Sequence, residues 1–237
     1  SFFETKLRNS GVNPRFLKNK KERDTMIQAF IFDLDGVITD TAKFHFIAWQ
    51  QLAQRLGFDI DHEFNEKLKG VGRMDSLNLI LAHGGVHLTD AEKEAEAARK
   101  NDDYVELITD MNASDLLPGA REALEAIRAA GLKTGLASAS KNAPAILARL
   151  GISDLFDTVV DANLVVNGKP DPEIFLKGAA QLKLSVTNCI GIEDAVAGLQ
   201  SIKGAGMYAI GIGDPAVLTL ADTVIDGLHQ FDLKNYI

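Results

Sequence analysis

Asp33 and Asp35 stand two apart in Asp33-Leu34-Asp35-Gly36, directly after the apolar run Ile27-Gln28-Ala29-Phe30-Ile31-Phe32. In an extended chain such residues share a face, unless a turn at Gly36 redirects the second carboxylate. Carboxylates this close repel, so the pattern implies a bound cation or a shared proton. The plainer reading is an acidic loop end with Gly36 as its turn residue. Glu193-Asp194 follows another apolar run, Cys189-Ile190-Gly191-Ile192, and precedes a helical pattern. Asp194 alone reads as a helix cap favoured by the helix dipole. Together with Asp33 and Asp35 it makes a costly acidic cluster, which Mg2+ would relieve because it prefers oxygen ligands.

Two further segments could handle an anion. Ala137-Ser138-Ala139-Ser140-Lys141-Asn142 carries a strand pattern into a helix start. Its hydroxyls and free backbone N–H groups suit a phosphate, or an ordinary N-cap. Gly168-Lys169-Pro170 offers a lysine that either offsets a phosphate's charge or lies solvated on the surface.

The elements that must position these groups come next. The stripe Phe44, Ala48, Trp49, Leu52 and Leu56 predicts a helix over 42–56. Shorter helices are predicted over 61–69 and 74–82, separated by Gly70-Val71-Gly72. Thr89-Asp90-Ala91-Glu92 is a capping box opening a helix to about residue 109. No strand pattern occurs between 41 and 115. Beyond that block strands and helices alternate, with Asp171 as N-cap and Pro172 at the first helical position of one helix. This alternation predicts an α/β fold: a doubly wound parallel-sheet, Rossmann-like core from 26–40 and 116–237, with an all-helical cap domain inserted over 41–115. Residues 1–25 carry +4 and read as a leader or tag-like extension before Met26.

Composition narrows the function classes. Of 237 residues, 46% are hydrophobic and 24% charged, as in ordinary globular proteins. The net charge of −8 argues against general nucleic-acid binding, although a local pocket can still take a small anion. No apolar run approaches the ~18 residues that span a bilayer. Cys189 is the single cysteine and cannot form an internal disulfide, so a cytoplasmic setting is expected.

The ordered set Asp33-Leu34-Asp35-Gly36, Ser138, Lys169 and Glu193-Asp194 resembles the haloacid dehalogenase superfamily of phosphotransferases. The segments 32–41, 68–77 and 137–142, with Arg99-Lys100-Asn101-Asp102, are similar to its β-phosphoglucomutase branch. The similarity covers nearly all of 26–237 and fades after about 213; Gly72 and Met74 beside Arg73 depart from the pattern. The resemblance implies that Asp33 is a nucleophile forming an aspartyl phosphate, and Asp35 the general acid and base. It implies Mg2+ held by Asp33, the Asp35 backbone carbonyl, Asp194 and Glu193. Ser138, Ala139 and Lys169 would hold the transferring phosphoryl group. Arg73 with Ser140, Lys141 and Asn142 would hold a remote phosphate. His45, Trp49, Lys69, Gly70, Ser76 and Lys100 would line the sugar side, although His45 and Trp49, one turn apart, could simply be core, Lys100 could pair with Glu96, and Arg73 could cap a turn. Thr39-Asp40-Thr41 would be one hinge strand, and Ala113–Leu117 the other. The implied activity is conversion of β-D-glucose 1-phosphate to glucose 6-phosphate, primed by glucose 1,6-bisphosphate, in a monomer whose only partner is a small sugar phosphate. The alternatives are a sugar-phosphate phosphatase on the same scaffold and a non-catalytic sugar-phosphate-binding protein.

Overall fold

The computed structural model describes residues 26–237, so the extension expected over 1–25 lies outside the described residues. Six strands form one parallel sheet in the order β3-β2-β1-β4-β5-β6. They are β1 (Ala29–Phe32), β2 (Lys133–Leu136), β3 (Thr158–Val159), β4 (Cys189–Glu193), β5 (Tyr208–Ile212) and β6 (Thr223–Ile225).

Between β1 and β2 come α1 (Ala42–Arg55), α2 (His62–Glu66), α3 (Arg73–Gly84) and α4 (Asp90–Leu107). No strand forms in 41–115. These helices share a core of their own, built on Trp49, Leu52, Leu77, Ile80 and Ala97. Both bonds of the Thr89–Glu92 capping box are made. Helix α2 is shorter than expected: after Glu66 the chain turns through Lys67–Gly70, and Gly70 takes φ +71°.

The remaining helices are α5 (Ala120–Ala129), α6 (Ala143–Leu150), α7 (Glu173–Leu182) and α8 (Val196–Gly204). Alternate residues of β1 point to opposite faces of the sheet. Phe30 and Phe32 join a cluster with Leu124, Ile127, Ile146 and Leu147. Ala29 and Ile31 join Phe175, Ala179, Leu199 and Ile202. Both faces are therefore covered, as a parallel sheet requires. One expectation is corrected at α7: Pro172, not Asp171, is the N-cap. Asp171 still satisfies the helix start from one residue further out, its Oδ1 accepting from the Glu173 N–H at 2.9 Å.

Two connectors link the helical insert to the sheet. Thr39 and Leu116 form an antiparallel bridge. The Leu117 N–H donates to the Ile38 carbonyl at 2.9 Å, and Thr39 Oγ1 to the Asp115 carbonyl at 2.7 Å. Strand order reverses at β1, with β2 on one side and β4 on the other. In such sheets the crevice beyond the strands' carboxyl ends at the reversal is where ligands bind.

Candidate active site

Sheet register brings distant acids together. Phe32 lies level with Leu136 on β2 and Ile192 on β4. The next residues, Asp33, Ala137 and Glu193, the last of β4, therefore lie side by side at the sheet's carboxyl edge. The Asp33 N–H donates to the Ile192 carbonyl at 2.9 Å, and the Ala137 N–H to that of Phe32 at 2.7 Å. Lys169 reaches this point from the loop before α7 and is not a surface lysine. Its Nζ donates to Asp33 Oδ1 at 2.7 Å and to Glu193 Oε2 at 2.8 Å. Burial works against this ammonium, but the two carboxylates outweigh it and raise its pKa above that of a free lysine.

Asp33, Glu193 and Asp194 each place one carboxylate oxygen within 4.8 Å of the others. Asp194 does not cap α8, whose N-cap is Ala195 without a side-chain bond. Burial, then the charges of Asp33 and Asp35, push Asp194 up to about 7. Burial and Asp33 hold Glu193 well above the usual carboxylate range. An all-oxygen, crowded, mutually repelling donor set fits a hard divalent cation such as Mg2+. Two glycines make room for these carboxylates. A Cβ on Gly36, which takes φ +76°, would fall 2.0 Å from Asp194 Oδ2. A Cβ on Gly198 of α8 would fall 2.0 Å from Glu193 Cδ.

Asp35 sits nearby, its Oδ1 accepting from the Thr41 N–H at 3.2 Å. Burial, then repulsion from Asp33, raises it to about 8, while the Thr41 bond works the other way. Asp35 therefore holds a proton near neutrality. His45 Nε2 stands 3.8 Å from Asp35 Oδ2, and His45 Nδ1 lies 2.9 Å from Lys100 Nζ. Burial, then the charges of Lys100 and Arg73, hold His45 well below the usual histidine range. Where Lys100 donates to Nδ1, the neutral ring carries its hydrogen on Nε2, facing Asp35. Lys100 is buried, not paired with Glu96, which Arg55 engages at 3.5 Å. Its Nζ lies 4.2 Å from the Trp49 ring centroid, and burial, then Arg73, lower it to about 7.

A cavity of about 370 Å³ lies between insert and core. Asp33, Asp35, Asp194, Ser138 and Ala139 line one part of it. Ser140, Lys141 and Asn142 line it from the core, and Arg73 from the start of α3. The serine loop is held by its own hydroxyls: Ser138 Oγ accepts from the Ser140 N–H, and Ser140 Oγ from that of Asn142. His45, Trp49, Lys69, Gly70, Ser76 and Lys100 line the insert side, and Asp40 the connector. Lys69 also pairs with Glu66 at 2.8 Å, and Ser76 Oγ donates to the Val71 carbonyl at 3.4 Å. Lys169 and Glu193 lie beneath the cavity wall, and Thr39 and Thr41 are buried in the connector. Gly70 faces Ala195 and Lys169, where a Cβ would come 3.6 Å from that of Ala195. Sequence reasoning missed Asn101 and Asn65 as lining residues. Asn101 follows Lys100 on the same helical turn, a signal that was available; Asn65 had none.

A profile of haloacid dehalogenase-like hydrolases matches residues 27–206. The chain belongs to the haloacid dehalogenase-like hydrolase family. Within that family it is 48% identical over 210 residues to the β-phosphoglucomutase of Bacillus subtilis (strain 168), covering 88% of this chain and 93% of the relative. The crystal structure of β-phosphoglucomutase from Clostridium difficile superposes with a TM-score of 0.87 at 48% identity, covering 88% of this chain and 95% of that one. The phosphorylated carbohydrates phosphatase of Thermotoga maritima is 28% identical over 186 residues, covering 78% of this chain and 84% of the relative. The haloacid dehalogenase-like fold thus accounts for the parallel sheet and its helices.

Proposed function

We propose that this chain is a Mg2+-dependent β-phosphoglucomutase, interconverting β-D-glucose 1-phosphate and glucose 6-phosphate. The observation that carries this reading is one cavity lined by two phosphate-grade donor sets. Ser138 and Ala139, with Lys169 close beneath, serve the end at Asp33. Arg73, Ser140, Lys141 and Asn142 serve the other. A hydrolase of monophosphates needs only the first. The relatives named β-phosphoglucomutase support the same choice.

Asp33 attacks phosphorus, a P–O bond to Asp33 forms, and the sugar P–O bond breaks. Asp35, protonated, gives its proton to the departing sugar oxygen. In the reverse direction Asp35 takes the proton from the attacking hydroxyl. Starting from phosphorylated Asp33, glucose 1-phosphate becomes the 1,6-bisphosphate, which turns around and returns its other phosphate as glucose 6-phosphate leaves. Glucose 1,6-bisphosphate therefore primes the cycle. Mg2+ held by Asp33, the Asp35 backbone carbonyl, Glu193 and Asp194 would offset the charge of carboxylate and phosphate together. Lys169 fixes the Asp33 carboxylate and adds a cation beside the transferred group. Residues 41–115 act as a cap, hinged at Thr39-Asp40-Thr41 and Ala113–Leu117, whose closure keeps water from the phosphoenzyme. The buried, unpaired Cys189 suits a reducing compartment such as the cytoplasm.

The test is a primed assay with each anomer of glucose 1-phosphate, following glucose 6-phosphate and inorganic phosphate together. Isomer formation from the β anomer far ahead of phosphate release is the expected result. Phosphate release as the main outcome makes the protein a phosphatase instead.

A further inference from the structure

We infer that Asn101 is a positioning residue that latches the helical insert to the core and aims Arg73 at the second phosphate. The inference rests on the mutase reading for what that phosphate is. Its geometry stands independently. Asn101 Oδ1 accepts from Arg73 Nη2 at 2.8 Å and from Asn142 Nδ2 at 2.8 Å. Arginine has only donors, so the carboxamide oxygen must face it, and both lone pairs of that oxygen are used. Arg73 opens α3, Asn101 lies on α4, and Asn142 precedes α6 in the core. One oxygen therefore joins two helices of the insert to the core.

Two details separate this from a casual contact. Asn142 is the N-cap of α6, yet its side chain makes no cap bond and turns to Asn101 instead. Among the described residues no carboxylate pairs with Arg73, although burial lowers its pKa. A neutral acceptor fixes the guanidinium without cancelling its charge. The charge stays available to a phosphate dianion, and the remaining N–H groups of the fork stay available to its oxygens. Aspartate at 101 would hold the same two donors but neutralise Arg73. Alanine would release both.

The experiment compares the full chain with Asn101→Ala and Asn101→Asp, all with Mg2+. Primed turnover of β-D-glucose 1-phosphate is set against hydrolysis of a small aryl phosphate, which lacks a second phosphate. Trp49, the single tryptophan, sits in the cavity wall and reports opening by its emission. For Asn101→Ala the sugar-to-aryl ratio of kcat/KM falls about tenfold or more, chiefly through KM, and Trp49 emission shifts red. For Asn101→Asp the ratio falls at least as far while the emission stays as in the wild type. Equal losses on both substrates in Asn101→Ala, or an Asn101→Asp enzyme with wild-type KM for the sugar phosphate, overturn the proposal. A wild type that hydrolyses the aryl phosphate but makes no glucose 6-phosphate overturns the mutase reading instead. In that case a red shift in Asn101→Ala and none in Asn101→Asp sustains the latch, and unshifted emission in both ends it.

Discussion

Asp33 and Lys169 are 136 positions apart in sequence, yet their side chains meet at 2.7 Å inside the protein. Replacing Asp33 by Asn keeps the volume and removes the nucleophile, so turnover is expected to fall about a thousandfold or more while the fold persists. Steady-state kinetics with circular dichroism checks both halves. Lys100 gives a stability prediction of opposite kind. Burial, then the charge of Arg73, lowers its pKa from 10.5 to about 7. The folded value lies below the unfolded one, so the unfolded chain binds the extra proton between them. The wild type therefore gains stability as pH rises from about 7 toward 10.5. Lys100→Met removes the buried amine. It is expected to stabilise the fold by about 1 to 4 kcal/mol at pH 6, with a smaller gain at pH 9, while sugar-phosphate turnover drops. Denaturant melts at the two pH values decide it.

At the scale of elements, helix starts were legible because caps are local. Thr89 and Glu92 stand three apart, and both reciprocal bonds form. Thr89→Ala is expected to cost about 1 kcal/mol, measured by chemical denaturation. The close packing of α8 on β4 was not legible, since Gly198 and Glu193 read as unrelated residues. Adding a methyl at Gly198 drives Glu193 from its place. Gly198→Ala should raise the Mg2+ concentration for half-maximal activity about 10- to 100-fold, seen by titrating Mg2+ in the assay. The inward turn of Lys100 was half legible. Ala97, Lys100 and Tyr104 recur at helical spacing on the buried face of α4, but a lysine there also fits an exposed pair with Glu96.

For the molecule as a whole, the cavity exists only because the insert closes on the sheet. Arg73→Ala should therefore lower primed mutase turnover about a hundredfold, and aryl phosphate hydrolysis much less, in parallel assays on the two substrates. The amino-acid order by itself determined the alternation of strands and helices, the helical block between the first two strands, and the acids at strand ends. Each of these depends on neighbours within one or two turns, where side-chain period and capping act. Tertiary structure alone decided which residues meet. Parallel register set Asp33 beside Glu193, burial brought Lys169 between them, and docking of the insert put Asn101 between Arg73 and Asn142. Such contacts join residues far apart along the chain, where no local periodicity reports distance and only the packing of the sheet and its helices fixes it.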